Sequence, residues 1–364
     1  MKDAQVIVLA LPVFLLLMGI ELAVGLQRNR NTYRLNDTLN SLSLGILSQL
    51  AGVFSKLMTI GIYSLVFARL SLWQLPTDAP WVWVLALLLY DLCYYALHRA
   101  GHRCALFWAA HVVHHQSEDY NLSTALRQTS SGWIAGWLFY LPMAVLGFPP
   151  LVFAVVALVD LLYQFWVHTQ QIGKLGWFDR WFCSPSNHRV HHAVNDRYLD
   201  RNYGGILIVW DRLFGSFQEE DDAEPCVYGT RSPLRSWNPL WANLQVYADL
   251  LHDSWHAGRC ADKARVWLMP PGWRPADVEV RRPKPPFELE HVQRYDPPAS
   301  PAARAAATAI FTLLLGATVA FLWHAHELSL VQQVGAAGAI AGGLWWVGAL
   351  GEGHRSRRPE TQVN

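Results

Sequence analysis

The chain has 364 residues, of which 52% are hydrophobic and 16% are charged, and its net charge is +1. The charged fraction lies well below the roughly 25% of average proteins, so a membrane protein is indicated and a soluble enzyme is disfavoured. A near-neutral chain also lacks the basic balance of nucleic-acid-binding proteins. The five cysteines are odd in number and contain no C-x-x-C pair, which predicts reduced thiols without disulfides or a zinc knuckle.

Apolar stretches long enough to cross roughly 30 Å of hydrocarbon occur at 4–26, 41–70, 81–97, 304–323 and 328–350. The first is too long for the core of a signal peptide and has no basic leader, so we predict a retained membrane helix. Two further apolar segments lie within 133–167 and are separated by a Gly-Phe-Pro-Pro break at 147–150. This break predicts a helical hairpin that turns at the far side of the membrane.

Basic residues follow the first segment and occur again in the C-terminal tail, at Arg28, Arg30, Arg34, Arg355, Arg357 and Arg358. The connections at 71–80, 147–150 and 324–327 have none. Because positively charged connections stay in the cytoplasm, seven segments with an external N-terminus place 98–131, 168–303 and the tail inside. We therefore expect a multi-pass protein with a cytoplasmic catalytic face, in the inner membrane if bacterial or the endoplasmic reticulum if eukaryotic.

Nine of the fifteen histidines fall within one stretch and are His98, His102, His111, His114, His115, His168, His188, His191 and His192. Spacings of three and four residues place imidazoles on one face of a helix, where two ring nitrogens can bind one metal. The adjacent histidine of each H-x-x-H-H group points about 100° further round and can reach a second metal. Nine imidazoles exceed the four ligands of a zinc site, so the pattern predicts two metals. Spacing leaves iron, copper, nickel and zinc open.

Two carboxylates lie inside predicted membrane helices, where ionisable residues usually mark function. Asp91 precedes His98 on nearly the same helix face, and Asp160, Gln164 and His168 follow a four-residue spacing. We expect Asp91 and Asp160 to accept the second N–H of ligating imidazoles; packing of helices is the alternative. Histidine and aspartate in membrane helices also occur in metal transporters, but those use broken or repeated helices at mid-membrane, and this chain has no internal repeat.

Longer strings surround the histidines, namely WAAHVVHHQSEDYNLSTALRQ at 108–128, LLYQFWVHT at 161–169, SPSNHRVHH at 184–192 and NYGGILIVWDRLFGSF at 202–217. Together with the histidine groups they resemble the fatty acid hydroxylase and sterol desaturase superfamily, and within it the branch that cleaves ether lipids. The resemblance covers about 80–275 and extends to the C-terminal pair of hydrophobic segments. Two positions depart from it: Arg103 stands where animal members carry an acidic residue, and Asn187 stands in place of a histidine.

The resemblance implies a membrane di-iron monooxygenase that hydroxylates lipid C–H bonds with O₂ and cleaves alkylglycerol-type lipids, with tetrahydrobiopterin as reductant. A sterol, fatty acid or carotenoid hydroxylase or desaturase that takes electrons from a redox partner protein is the alternative. Eight of the histidines match the superfamily's pattern, and His168 is expected as a ninth ligand. Further candidates for contacts with the ligands or with a lipid head group are Glu118, Asp119, Tyr120, Asn121, Arg127, Tyr203 and Asp211.

The expected fold class is an all-α, multi-pass transmembrane bundle with a cytoplasmic helical cap that carries the metal site. We divide the chain into N-terminal membrane helices at 1–80 and a hydroxylase-type catalytic domain at 81–275. A proline-rich connector at 276–303 then leads to a C-terminal helix pair and basic tail at 304–364. The Asn202–Gly205 turn can bring backbone close to the site, since Gly204 and Gly205 lack side chains.

Overall fold

The computed structural model describes residues 3–353, and over that range the chain is helical. Pairing between extended segments of this range is limited to two isolated bridges, Phe182–Leu207 and Ala193–Tyr228. The predicted all-α fold class is therefore confirmed. The predicted basic tail, with Arg355, Arg357 and Arg358, lies outside the described residues.

In chain order the α-helices of the described range are α1 (Asp3–Gln27), α2 (Leu35–Leu70), α3 (Pro80–Arg103), α4 (Ala105–His115), α5 (Leu122–Ala125), α6 (Leu141–Val145), α7 (Pro150–Trp166), α8 (Phe178–Trp181), α9 (Pro185–His192), α10 (Val209–Leu213), α11 (Pro239–His256), α12 (Cys260–Leu268), α13 (Ala276–Arg281), α14 (Pro301–His324) and α15 (Leu330–Gly351). Short 3₁₀ turns occupy Gly132–Ile134, Gly136–Tyr140, Leu289–His291 and Ala325–Glu327. Proline occupies the first turn of α3, α7, α9, α11 and α14, where its missing N–H has no partner to lose.

Within residues 3–353, four helices are long and apolar enough to cross a membrane, at Val8–Gln27, Pro80–Arg103, Pro301–Glu327 and Leu330–Gly351. Helix α2 adds a fifth span if its two parts, which meet at 45°, cross together. Large apolar side chains such as Leu16, Leu313 and Val331 are exposed along these helices, as a surface in contact with lipid requires. The chain is an integral membrane protein.

The segment predicted as a helical hairpin forms one, but its limbs are short. They run over Gly136–Val145 and Pro150–Trp166, and the longer limb rises about 26 Å, less than the roughly 30 Å of hydrocarbon. The sequence left open whether both limbs cross the membrane completely, and neither limb has the length of a complete span. The turn still reaches the α2–α3 connection, since Leu75 N donates to Gly147 O at 3.1 Å. Gly147 has φ 91°, and a Cβ there would lie 1.9 Å from Trp73 O.

Two buried apolar clusters hold the bundle together. One joins α2 to α14 and α15 through residues such as Ile46, Phe311 and Leu344. The other joins α2, α3, α6 and α7 around Val82 and Phe153. Helix α2 belongs to both clusters. The second cluster fixes α3, which carries His98 and His102, and α7, which ends two residues before His168.

The basic residues after α1 lie at the histidine-bearing end of the bundle. A guanidinium nitrogen of Arg28 donates to Gln171 O at 2.9 Å, and Arg34 Nε donates to Asp119 Oδ2 at 2.8 Å. Helix α15 ends on the same side, where Glu352 Oε1 accepts from Trp237 N at 2.8 Å. The connections at 71–80 and 147–150, which lack Lys and Arg, meet at the opposite end.

Candidate metal centre

All nine predicted histidines lie together and form two groups. The first group contains His98, His102, His111, His115 and His191, and the second contains His114, His168, His188 and His192. Within each group the nitrogens available as ligands all lie within 4.8 Å of one another. Two adjacent sets of imidazole nitrogens are the arrangement that a dinuclear centre needs.

Helices α4 and α9 each contribute to both groups. In α4, His111 and His115 belong to the five-histidine group and His114 to the other; in α9, His188 and His192 belong to the four-histidine group and His191 to the other. Residues four apart share a helix face, whereas the histidine between them points elsewhere. Each H-x-x-H-H motif therefore serves both groups, as its spacing predicts.

The local sequence determines where the two short helices that carry these motifs, α4 and α9, begin. Helix α3 ends at Arg103. The next residue, Cys104, has an extended backbone (φ −132°) and leads directly into α4. Helix α9 begins at Ser184, whose hydroxyl oxygen accepts from Asn187 N, and Pro185 occupies its first turn. Helix α9 thus begins with a side-chain cap one turn before His188, whereas Cys104 makes no side-chain cap at the start of α4.

Ring nitrogens converge inside each group. The Nε2–Nε2 distances are 3.0 Å for His98–His111 and His111–His115, 3.1 Å for His114–His168 and His168–His188, and 3.2 Å for His188–His192. The Nε2 atoms of His102 and His191 are buried without a hydrogen-bond partner. A buried polar atom left without a partner is costly, and a metal ion at the point of convergence would remove that cost.

The other ring nitrogen of four histidines contacts a backbone carbonyl. The Nδ1 atoms of His98, His114, His168 and His191 lie 2.8, 3.0, 2.7 and 2.9 Å from the carbonyl oxygens of Tyr203, Arg127, Gln164 and Arg201. A carbonyl can only accept, so each Nδ1 carries the proton and each Nε2 presents a lone pair. These contacts fix the tautomer that binds a metal.

Sequence reasoning placed the Asn202–Gly205 turn beside the site but did not predict that the carbonyls of Arg201 and Tyr203 contact imidazoles. Asp200 and Asn202 adopt left-handed backbone with φ 57° and 56°, which turns the carbonyls of Arg201 and Tyr203 toward imidazoles. An Asp200 carboxylate oxygen also lies 3.4 Å from His102 Nδ1. Asp and Asn tolerate φ > 0 better than other non-glycine residues. The Asp-Arg-Asn-Tyr stretch was therefore the signal in the sequence for a loop with left-handed backbone.

Burial keeps the histidines neutral. It lowers the pKa of His114 to about 4. It also lowers the pKa of His188 and His192 well below the usual range, and neighbouring imidazoles lower both further. Neutral imidazole is the form that binds a metal, so the site is ready for ligation at pH 7.

The expected contacts between imidazoles and the two membrane carboxylates are not present. Asp91 accepts from Ile206 N, Leu207 N and Trp210 Nε1 at 2.7, 3.0 and 2.8 Å. Asp160 Oδ2 accepts from Gln164 Nε2 at 2.6 Å. Backbone carbonyls take the imidazole protons instead, because they lie closer to the ligands. Asp91 thus acts on the loop that carries Tyr203.

The Asn202–Gly205 turn makes the close approach predicted for it. A Cβ at Gly205 would lie 2.8 Å from Asp160 Oδ1, 2.9 Å from Tyr94 Cδ1 and 3.0 Å from Asp91 Oδ1. Only glycine allows the loop backbone to pack against these three side chains.

Three other predicted candidates, Glu118, Asp119 and Asn121, bind segments around the centre. Glu118 Oε2 accepts from Tyr295 N at 2.5 Å and so attaches the proline-rich connector. Asn121 caps α5, and its amide donates to Thr32 O at 2.7 Å. Asp119 binds Arg34 through the contact given above.

The remaining candidates support the histidines more directly. The ring of Tyr120 packs on those of His192 and His168, with centroid distances of 5.2 and 5.6 Å. Arg127 is fully buried, and its carbonyl accepts from His114. Asp211 accepts from Tyr203 N at 2.8 Å and from Gly204 N at 2.7 Å, which holds the turn beneath His98.

The two departures from the superfamily pattern lie beside the centre. Arg103 is exposed and lies 3.7 Å from Asp200, the residue that contacts His102. The Asn187 amide donates to Asp179 O and Phe182 O at 3.0 and 3.1 Å, which anchors the start of α9. The rings of His252 and His256 contact each other at a centroid distance of 4.3 Å and lie outside both histidine groups. The five cysteines are free in the structure.

A cavity of about 330 Å³ opens between membrane helices and ends at the histidines. Its walls are apolar side chains of α1, α2, α7 and α14, such as Leu11, Ile46, Leu161 and Leu315. The lining also includes His111, His114 and His168, together with the polar residues Tyr94, Asp160 and Gln164. The centre is therefore accessible from the lipid-facing part of the bundle.

Residues 83–216 match the fatty acid hydroxylase family model, and all nine histidines lie within that range. The chain is 36% identical over 319 residues to alkylglycerol monooxygenase of Xenopus tropicalis, an alignment that covers 87% of this chain and 70% of the relative. This chain belongs to the alkylglycerol monooxygenase family. The resemblance predicted from the strings around the histidines is thus confirmed.

Other members of the alkylglycerol monooxygenase family give the same result. The human protein is 40% identical over 267 residues, which are 73% of this chain and 59% of the relative. The Caenorhabditis elegans protein is 31% identical over 324 residues, 84% of this chain and 64% of the relative. The chain thus spans between 59% and 70% of the length of these relatives. No solved structure matches the chain.

Proposed function

We propose that this protein is a di-iron monooxygenase that cleaves the ether bond of alkylglycerol-type lipids, with tetrahydrobiopterin as electron donor. The observation that carries this proposal is the apolar cavity that ends at His111, His114 and His168. An alkyl chain matches its walls, and the carbon at the polar end of that chain would then lie beside the imidazoles. The names of the relatives supply the substrate class.

The two histidine groups fit a pair of iron ions. The donor set is entirely imidazole, which suits iron, and in each group the ring nitrogens converge. The five-histidine group would hold one ion and the four-histidine group the other. Iron held there supplies O₂ activation and the hydroxylation of the carbon next to the ether oxygen. The carbonyls of Tyr203, Arg127, Gln164 and Arg201 keep the Nδ1 protons and leave Nε2 for the ions.

The proposed reaction balances with one reductant. One O₂, two electrons and two protons convert a C–H bond next to the ether oxygen into C–OH, and one water leaves. Tetrahydrobiopterin gives the two electrons and is oxidised to a dihydropterin. The resulting hemiacetal loses its C–O bond to glycerol and yields a fatty aldehyde and free glycerol. The apolar walls around the cavity keep bulk water from the reacting carbon.

We place the histidine-bearing end in the cytoplasm and residues 81–275 in the catalytic domain. Arg28 and Arg34 contact this end, and positively charged connections stay in the cytoplasm. The match at 83–216 and all nine histidines fall inside the proposed domain. The membrane would be the inner membrane of a bacterium or the endoplasmic reticulum of a eukaryote.

The test is an assay of purified, iron-loaded protein in detergent with tetrahydrobiopterin and a 1-O-alkylglycerol. We expect release of one fatty aldehyde for each pterin oxidised, and no aldehyde from the His188→Ala variant. Oxidation of a sterol, fatty acid or carotenoid with a redox protein as donor, and none of the alkylglycerol, would overturn the proposal in favour of the alternative hydroxylase. The variant His252→Ala serves as a control, because His252 lies outside both histidine groups.

A further inference from the structure

A second cavity reaches the histidines between α3, α4, α11 and the 3₁₀ turns at 132–140. Its volume is about 170 Å³, against about 330 Å³ for the cavity between the membrane helices. We call the larger one the lipid cavity and this one the side cavity. The lining of the side cavity includes His98, Phe107, His111, Ile134, Ala135 and Tyr247. Tyr94, His111 and Thr129 line both cavities, so the two adjoin at His111.

The two cavities present different histidines. His114 and His168 line the lipid cavity and belong to the four-histidine group, whereas His98 lines the side cavity and belongs to the five-histidine group. His111, which is the partly exposed member of the five-histidine group, lines both. Each histidine group therefore has its own access, and a molecule confined to the lipid cavity leaves the side cavity free.

The hydroxyl groups that line the side cavity are all used in the protein's own contacts. Tyr247 OH donates to Ser131 Oγ at 2.9 Å, and Ser131 Oγ lies 3.2 Å from Thr129 Oγ1. Tyr94 OH donates to Gln164 Oε1 at 2.7 Å. The lining thus offers a polar ligand no free hydroxyl.

The side cavity opens at an apolar surface. Ile134, which lines it, is 52% exposed, and the nearby Trp133 and Leu138 are 41% and 48% exposed. These residues lie at the start of the first limb of the hairpin, which is an apolar helix. Exposed apolar side chains that lie together mark a surface in contact with a membrane or a partner. We therefore expect the mouth of the side cavity to face hydrocarbon, in which O₂ is more soluble than in water.

The size and polarity of the side cavity match a small apolar gas. A water molecule takes about 30 Å³ of the liquid, so the side cavity has room for a few molecules of the size of O₂. A pterin carries several N–H and O–H donors, which would remain unpaired against apolar walls. An alkyl chain in the lipid cavity blocks that route, and O₂ must still reach the metals while the chain is bound.

We propose that the side cavity conducts O₂ from the membrane to the five-histidine group while the lipid cavity holds the alkyl chain. This inference rests on the proposed function, because it assigns the two substrates of that reaction to separate cavities. Its consequence is that binding of the lipid leaves the supply of O₂ open.

Two substitutions can narrow the side cavity alone. Ala135 and Gly136 line it and are absent from the lining of the lipid cavity. Ala135→Phe places a ring in the route. Gly136→Val is the second variant in case Ala135→Phe does not fold, since within 4 Å a Cβ at Gly136 would meet only Leu97 Cδ2, at 3.6 Å.

The experiment measures how fast nitric oxide, a probe of similar size to O₂, binds to anaerobic Fe(II)-loaded protein. Stopped-flow absorbance gives the rate with and without saturating 1-O-hexadecylglycerol. We expect the lipid to leave the rate of the parent chain nearly unchanged. In Ala135→Phe the rate with lipid should fall by about 10-fold or more, which corresponds to a barrier about 1.4 kcal/mol higher. A rate with lipid that equals the parent's would overturn the inference.

Two control variants separate the cavities. Ala154→Phe fills a third cavity, between α2 and α7, whose lining does not include the nine histidines, and it should keep the rates of the parent chain. Leu315→Trp narrows the lipid cavity. It should weaken the binding of 1-O-hexadecylglycerol but leave the rate of nitric oxide binding unchanged.

A second readout needs neither iron nor turnover. Xenon binds apolar cavities, so a structure of the metal-free protein under xenon pressure should show xenon between Phe107 and Ile134, and Ala135→Phe should lose it. Absence of xenon from the side cavity of the parent chain would contradict the inference. Failure of the proposed function is distinct, because the parent protein would then release no aldehyde while xenon would still report on the side cavity.

Discussion

The Nε2 atoms of His114 and His168 lie 3.1 Å apart, although 54 residues of chain separate them. One stands on α4 and the other directly after α7. This contact joins the end of α7 to α4 and completes the four-histidine group. The position of His168 in this group leads to the first prediction.

His168→Ala should lower bound iron from two equivalents per chain to about one. The change leaves three histidines in the smaller group, fewer than the four ligands of a closed tetrahedral site. His102→Ala leaves four histidines in the larger group, so it should retain more iron. Metal analysis after gel filtration measures the iron content of both variants. Equal loss of iron in the two would contradict the prediction that the four-histidine group is the more sensitive one.

Arg127→Met should destabilise the protein and lower its iron content. Arg127 is 1% exposed, and its guanidinium donates to Val113 O and Asn40 Oδ1, each at 2.7 Å. Burial lowers the pKa of Arg127 to about 10, so it remains a cation at pH 7. Loss of a buried, hydrogen-bonded charge costs about 3 kcal/mol, measurable as a lower free energy of unfolding in detergent. The control Arg259→Met replaces an exposed side chain and should leave stability unchanged.

Gly205→Ala should lower stability by about 1–3 kcal/mol, the usual effect of overpacking, and should reduce iron binding. The added Cβ would meet Asp160, Tyr94 and Asp91 within 3.0 Å, and those side chains are fixed by hydrogen bonds. The displaced loop would carry Tyr203 O away from His98. Gly173→Ala adds a Cβ with no atom within 4 Å and is the matched control. Normal iron content in Gly205→Ala would show that the loop tolerates the shift.

Acidification should destabilise the metal-free protein between about pH 6.5 and pH 4. The unfolded chain protonates histidine below about pH 6.5, whereas burial lowers the pKa of folded His114 to about 4. In this interval the unfolded chain binds more protons, so the free energy of unfolding decreases as the pH falls. Denaturation midpoints at pH 7.5, 6.5 and 5.5 measure the trend. His114→Gln should reduce the slope, and His291→Gln, at an exposed residue, should not.

The sequence predicts the meeting of the histidines because helical spacing dictates which side chains share a face. It also predicts the hairpin, since Gly147 and the prolines after it favour a break between two helices. The partners of the second imidazole nitrogen could not be predicted, because carbonyls of Arg127, Arg201 and Tyr203 carry no signal in the identity of their side chains. The expectation for Asp91 failed because its carboxylate accepts from backbone N–H groups of a loop that is distant in the sequence.

The sequence could not decide whether both limbs of the hairpin cross the membrane, because hydropathy is high there but the chain is interrupted. The first limb of the hairpin includes 3₁₀ turns before the short helix α6, and apolar composition alone does not reveal such breaks. Met143 and Ala144 of this limb pack against α2 and α3, whereas Ile134 and Leu138 are exposed.

The sharing of α4 and α9 between the two histidine groups links the two binding equilibria. An ion in the five-histidine group would order both helices through His111, His115 and His191, and this would already orient His114, His188 and His192 for the second ion. Uptake of the second ion should then be tighter than in a protein whose groups stand on separate helices, since less ordering entropy remains to be lost. A one-residue insertion in α9 would, by the same geometry, rotate ligands out of both groups at once.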